Sequence, residues 1–176
     1  MRIKWPLFSR ENTPKMNDNV YTKVSRRDAS NKWVEYGEDL ANSNKLEQAL
    51  ESFDNAIRID PQNDMAWGDK GLVLDKLTRL DESLVAFSNA IKINRNNAIT
   101  WNNNGLALLR LNRFNESIEC FDESIKIKPD YAKAWYNKGR CLSIMGKLSE
   151  SQKCLDSAKK LDPLLFIKLR RLKSVV

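Results

Sequence analysis

No histidine occurs anywhere in this chain of 176 residues. The commonest general base is therefore missing, and with it the usual Ser-His-Asp and Cys-His arrangements of nucleophilic catalysis. Cysteine is scarce as well. Cys120, Cys141 and Cys154 are odd in number and follow no paired spacing, which supports neither a disulfide framework nor a four-cysteine zinc site; they read as buried, reduced thiols of a cytoplasmic protein. Glycine is limited to six residues, and no glycine-rich phosphate loop is among them. No apolar run approaches the roughly 20 residues that span a bilayer, so no transmembrane segment is expected. Near the start, Trp5-Pro6-Leu7-Phe8 is too short for a secretory signal. No catalytic residue, cofactor or metal is expected. Carboxylate pairs such as Glu35/Glu38 and Asp122/Glu123 read as solvated helix faces.

What the chain does contain is periodic. Trp33, Trp67, Trp101 and Trp135 stand 34 residues apart, and Gly37, Gly71, Gly105 and Gly139 follow them at one constant offset. Four of the five tryptophans and four of the six glycines fall in this register, so the chain is a repeat array. In the first unit, Trp33, Tyr36, Gly37 and Leu40 recur at helical spacing. Ser43-Asn44-Lys45 breaks the pattern. Leu46, Ala49, Leu50, Phe53, Ala56 and Ile57 then mark a second helix, which stops at Asp60-Pro61 because proline cannot continue it. Each unit is thus a helical hairpin, and the units run 30–63, 64–97, 98–131 and 132–165. A glycine inside a helix costs about 1 kcal/mol against alanine. The expected compensation is close approach of the two helices, with Ala49, Ser83, Ser117 and Ser151 facing the glycines and the tryptophans buried.

A tryptophan, a glycine, a small residue, an aromatic and a proline in a 34-residue frame resemble the tetratricopeptide repeat, over residues 30–165. The resemblance implies an all-α solenoid of four hairpins. Arg95 stands where that family usually has proline; Lys70, Asn104 and Lys138 replace leucine at an apolar position, and those three sites are expected to be wetter. After Asp162-Pro163, Leu165, Leu169, Leu172 and Val176 form one apolar stripe, read as a half-repeat capping helix over 166–176 that seals the last hairpin.

Charge is distributed unevenly. Residues 1–29 hold seven basic and three acidic side chains and read as a mobile basic tail, becoming helical around Val20, Tyr21 and Val24; residues 30–163 hold nineteen and twenty, and the remainder holds four basic and none acidic. The repeats are neutral, so only the ends could meet nucleic acid or a ribosome, which is the alternative function. Nucleic acid is the less favoured partner.

The family places its concave groove on the first helix of each hairpin. Carried onto this sequence, the groove begins with Glu35, Glu38 and Val34, and continues through Met65, Gly68, Asp69, Leu72 and Asp75. It then runs through Ile99, Asn102, Asn103, Leu106, Leu109 and Arg110, and ends with Lys133, Tyr136, Asn137, Arg140 and Arg170. Its polarity is acidic, then amide-rich and apolar, then basic. The amides are expected to hold an extended peptide backbone, and the basic end an acidic segment. The lysine and asparagine pattern that clamps the carboxylate tails of Hsp70 and Hsp90 fits neither possible frame. The implied function is a non-enzymatic adaptor or scaffold that binds a peptide or protein segment in the groove.

Overall fold

The computed structural model describes residues 23–165. Its elements are α1 (Lys23–Asn42), α2 (Leu46–Ile59), α3 (Asp64–Lys76), α4 (Leu80–Ile93), α5 (Ala98–Arg110), α6 (Phe114–Ile127), α7 (Ala132–Ile144) and α8 (Leu148–Leu161). They form the four hairpins expected from the sequence, with no strand among the described residues. Each helix packs on its sequence neighbour, and successive first helices (α1 with α3, α3 with α5, α5 with α7) also touch. Second helices make no comparable contact with one another among the described residues. The first helices therefore line the inner, concave side and the second helices the outer one.

The N-terminal boundary moves. α1 begins at Lys23, so residues 23–29 belong to the solenoid and not to a free tail. Arg27 explains part of this: its Nε lies 2.8 Å from Asp60 and its Nη2 donates to the Gln62 carbonyl at 2.8 Å, tying the helix start to the end of the first hairpin. At the other end Pro163–Leu165 opens a helical turn, capped by the Asp162 carboxylate, which accepts from the Leu165 N–H at 3.0 Å. The capping-helix assignment for 166–176 lies outside the described residues.

The glycines act differently from the expectation. A Cβ on Gly71 would lie 2.6 Å from Phe87 Cε1, on Gly37 2.6 Å from Phe53 Cε1, and on Gly105 2.7 Å from Phe121 Cε1. Those phenylalanines are among the largest fully buried side chains. The space a glycine vacates is therefore filled by an aromatic ring from the partner helix, and burial of that ring offsets the helix cost. The tryptophans are only partly buried. Three of them pin the turn before their own repeat: Trp67, Trp101 and Trp135 donate their indole N–H to the carbonyls of Pro61, Arg95 and Pro129 at 3.1, 2.9 and 2.9 Å. Arg95 supplies the same acceptor as proline, which is why the missing proline leaves the turn intact. The facing serines hold the hairpins shut, with Ser83, Ser117 and Ser151 hydroxyls donating to the Gly71, Gly105 and Gly139 carbonyls at 2.9, 2.7 and 2.7 Å.

Of the sites expected to be wet, two are paired and one is dry. Lys70 and Lys138 reach back to Asp54 and Asp122 on the preceding repeat's second helix, each at 2.5 Å. Asn104 is buried and donates to Cys120 Sγ at 3.4 Å. All three cysteines are buried free thiols; burial pushes Cys120 up to about 11, so it stays protonated at neutral pH.

Every hairpin turn passes through the left-handed region, at Asn44 (φ 58°), Thr78 (φ 63°), Asn112 (φ 59°) and Gly146 (φ 77°). The next N–H then returns to the first helix, as in Arg79 to the Leu74 carbonyl at 2.9 Å. Threonine is the poorest of these choices, because its branched Cβ crowds the backbone at positive φ. Thr78→Asn is expected to stabilise the protein by about 0.5–1 kcal/mol, read as a higher urea midpoint at unchanged slope. An equal or lower midpoint would contradict strain at this turn.

Candidate functional site

The concave face separates into two halves with different chemistry. In its first half, α1, α3 and α5 enclose a hollow of about 190 Å³ lined by Glu38, Asp64, Met65, Gly68, Asp69, Leu72, Asn97, Ile99, Thr100 and Asn103. Met65 (52% exposed), Leu72 (39%) and Ile99 (54%) stand around it. Large side chains exposed elsewhere, such as Val85 on α4 and Leu148 on α8, do not share a concavity with them.

The hollow is acidic. Glu38 is exposed on α1, and Asp69 is partly buried on α3. Burial, then the Glu38 charge, then a hydrogen bond with Glu38 push Asp69 from 3.8 up to about 7. Desolvation disfavours its charged form, and a second carboxylate adds repulsion. Asp64 accepts from Asn94 Nδ2 at 2.8 Å and lies 4.0 Å from Arg27.

The middle of the groove corrects the expectation for the amides. Asn102 and Asn137 are 2% and 7% exposed, and Asn137 Nδ2 donates to Asn102 Oδ1 at 2.9 Å. They join α5 to α7 and are committed to each other, so they are not available to a peptide backbone. Asn102 Nδ2 also approaches Asn103 Oδ1 at 3.3 Å, leaving the half-buried Asn103 at the hollow's edge. Leu106 is half-buried against Leu109, Phe121 and Cys141. Val34 and Leu109 are core residues, not groove residues. Helices on an inward curve turn part of their inner face into their neighbours, and the positions that meet there become dry.

Toward the second half, Arg110 is spent on the scaffold. It lies 2.7 Å from the Asp75 carboxylate and donates to the Asp75 carbonyl at 2.7 Å, bridging α5 to α3. Lys133 is exposed on α7, while the Arg140 guanidinium sits 5.9 Å from the centre of the half-buried Tyr136 ring. Glu35 is exposed on α1, away from the hollow's lining. Arg170 lies outside the described residues. Asp64, Asn97 and Thr100 line the hollow outside the expected groove positions. Gly68 carried the one available signal, a glycine inside a helix but outside the 34-residue register.

A succession of helical hairpins in a 34-residue frame with a turn-pinning tryptophan in each later unit defines the tetratricopeptide repeat class, and this chain belongs to that family. Family profiles described as tetratricopeptide repeat match residues 37–98, 98–131 and 120–153. Proteins of this family generally serve as interaction scaffolds and not as catalysts. Similar solved structures include MamA, at 18% identity over 80% of this chain and 86% of that one with a TM-score of 0.72. MamA 41-end from Desulfovibrio magneticus RS-1 gives 19% identity over 76% of each chain and a TM-score of 0.70. Pseudomonas aeruginosa PilF gives 20% identity over 78% of this chain and 63% of that one, with a TM-score of 0.74. At these identities the likeness is one of fold. No curated protein sequence matches the chain. No helix among the described residues is long and apolar enough to cross a membrane.

Proposed function

We propose that the chain is a non-enzymatic scaffold that binds an extended segment of a partner protein along the first half of its concave face. One observation carries this reading: Met65, Leu72 and Ile99, from two adjacent first helices, are exposed around a single hollow. Large aliphatic side chains gathered in a concavity are covered by a partner in the functional state. The hollow is smaller than the roughly 300–1,000 Å³ of a small-molecule site, which favours side chains of a segment over a whole metabolite. The basic end at Lys133 and Arg140 offers weaker support for an acidic segment, because Arg110 is already paired. The alternative of nucleic-acid binding gains nothing from the described surface: residues 23–165 hold 22 basic and 21 acidic side chains, too balanced to draw phosphates.

Selection from a displayed random peptide library tests the reading. Peptides recovered on the wild-type chain are expected to lose more than about tenfold in affinity for Ile99→Asp, which costs little stability at an exposed site. They should bind Val85→Asp, an exposed change on α4, as before. Equal losses in both variants, or a library yielding no binder, would defeat a groove-binding function.

A further inference from the structure

Of the six glycines, four make room for a partner-helix side chain and Gly146 takes a left-handed turn. Gly68 does neither. It sits in the interior of α3 with ordinary helical backbone, and a Cβ there would meet nothing nearer than Thr100 Oγ1 at 3.8 Å. Packing does not demand a glycine here, yet the helix bears its cost of about 1 kcal/mol. What the missing side chain does create is depth, because Gly68 forms part of the hollow's lining.

We propose that the hollow over Gly68 is a socket for a lysine or arginine side chain of the bound segment, with the segment's neighbouring aliphatic residues on Met65, Leu72 and Ile99. This deepens the scaffold reading above and rests on it. The groups presented to a ligand are almost all acceptors. Glu38 comes from α1 and Asp69 from α3, and no cationic side chain lines the hollow; Asp64, also of α3, is already engaged by Asn94 at 2.8 Å and lies 4.0 Å from Arg27 of α1. From α5 and its N-cap come only neutral residues: Asn97, whose Oδ1 is used in capping that helix, with Ile99, Thr100 and Asn103. Thr100 is the independent sign of a ligand. It is 5% exposed, it faces the hollow, and its hydroxyl has no hydrogen-bond partner within the described structure. The hydroxyl borders the hollow, 3.8 Å from where a Cβ on Gly68 would lie, and an incoming N–H donor would pair with it.

Other side chains fit worse. A carboxylate would meet two carboxylates across a partly desolvated gap. A purely apolar side chain would strip water from Glu38 and Asp69 and return no charge, which is unfavourable. A cation does the reverse: it favours the ionised Asp69 and offers donors to Thr100. The long methylene stem of lysine or arginine passes Met65 and Leu72 before the charged head reaches the acids. Because a cation favours the ionised Asp69, binding should release a proton, and affinity should rise with pH through neutrality.

Fluorescence anisotropy with short, acetylated and amidated peptides tests this, using one extended aliphatic frame with lysine, arginine, glutamate or norleucine at its centre. The lysine and arginine peptides are expected to bind about tenfold more tightly than the other two at about pH 8, and to lose about tenfold on going to about pH 6. Asp69→Asn should erase both the preference and the pH dependence. Gly68→Leu should block the basic peptides while melting no lower than wild type, since it places a good helix former in open space. Equal or tighter binding of the glutamate or norleucine peptide, or a lysine preference that survives Asp69→Asn, overturns the socket; if that binding is still lost in Ile99→Asp, the groove reading stands. Failure of all four peptides with the folded wild-type chain overturns both.

Discussion

Gly71→Ala is expected to lower the stability of this protein, and Gly68→Ala, one turn away on the same helix, to raise it. Helix propensity favours alanine at both positions by about 1 kcal/mol. At Gly71 that gain meets a new Cβ 2.6 Å from Cε1 and 2.7 Å from Cδ1 of Phe87. The ring is 1% exposed and cannot swing away, so the two helices must part. Overpacking of this kind costs about 1–3 kcal/mol, and here the upper half of that range applies. The net result is a loss of about 1–2 kcal/mol for Gly71→Ala against a gain of about 0.5–1 kcal/mol for Gly68→Ala. Chemical denaturation of both variants decides it. Because repeats unfold with nearest-neighbour coupling, far-UV circular dichroism and tryptophan fluorescence should be followed together. A shared sign for the two substitutions would mean that Phe87 does not occupy the space of Gly71, or that Gly68 is needed for packing.

Asp69→Asn is expected to stabilise the protein at alkaline pH and to lose that advantage in acid. The folded-state carboxyl is raised from 3.8 to about 7, so the native protein holds this proton more tightly than the unfolded chain does. Stability then falls as pH rises from about 4 to about 7 and is level beyond that. Asparagine keeps the neutral form at every pH and can still donate to Glu38. A displacement of about three units corresponds to at most about 4 kcal/mol. The side chain is only partly buried, and Glu38 is free to turn toward water, so about 2 kcal/mol is the expected gain near pH 8, shrinking toward zero near pH 4. A gain independent of pH would show that the effect is not the titration of this acid. A carboxylate that weakens its own fold at working pH is of the kind found where binding is required.

How much of this was legible in advance depends on the range of the forces involved. Hairpin boundaries at Asp60-Pro61 and Lys128-Pro129 follow from the covalent chemistry of proline, which acts within one turn. The 34-residue phase of Trp33, Trp67, Trp101 and Trp135 is likewise a property of order along the chain, since identical units bury identical faces. Helix around Val24 was legible, but the joining of residues 23–29 to the solenoid was less visible. It depends on Arg27 reaching Asp60 and Gln62, more than thirty residues away.

The site was legible in outline and not in detail. Glu38, Met65, Asp69, Leu72, Ile99 and Asn103 all fall on the hollow as a groove frame would place them. Asn102 and Asn137 share that frame but are consumed by each other, and Arg110 is consumed by Asp75. Nothing local distinguishes an exposed asparagine from one whose partner arrives from the next repeat. The same holds for Gly71 and Gly68, two glycines of α3 with one helical propensity and opposite roles. The sequence by itself determined the repeat, its period and its helices, because those arise from backbone preference and apolar spacing within a few residues. Only the tertiary structure decided which groove residues remain open to a partner, because the curvature that brings α1, α3 and α5 together is set by side chains packing between repeats.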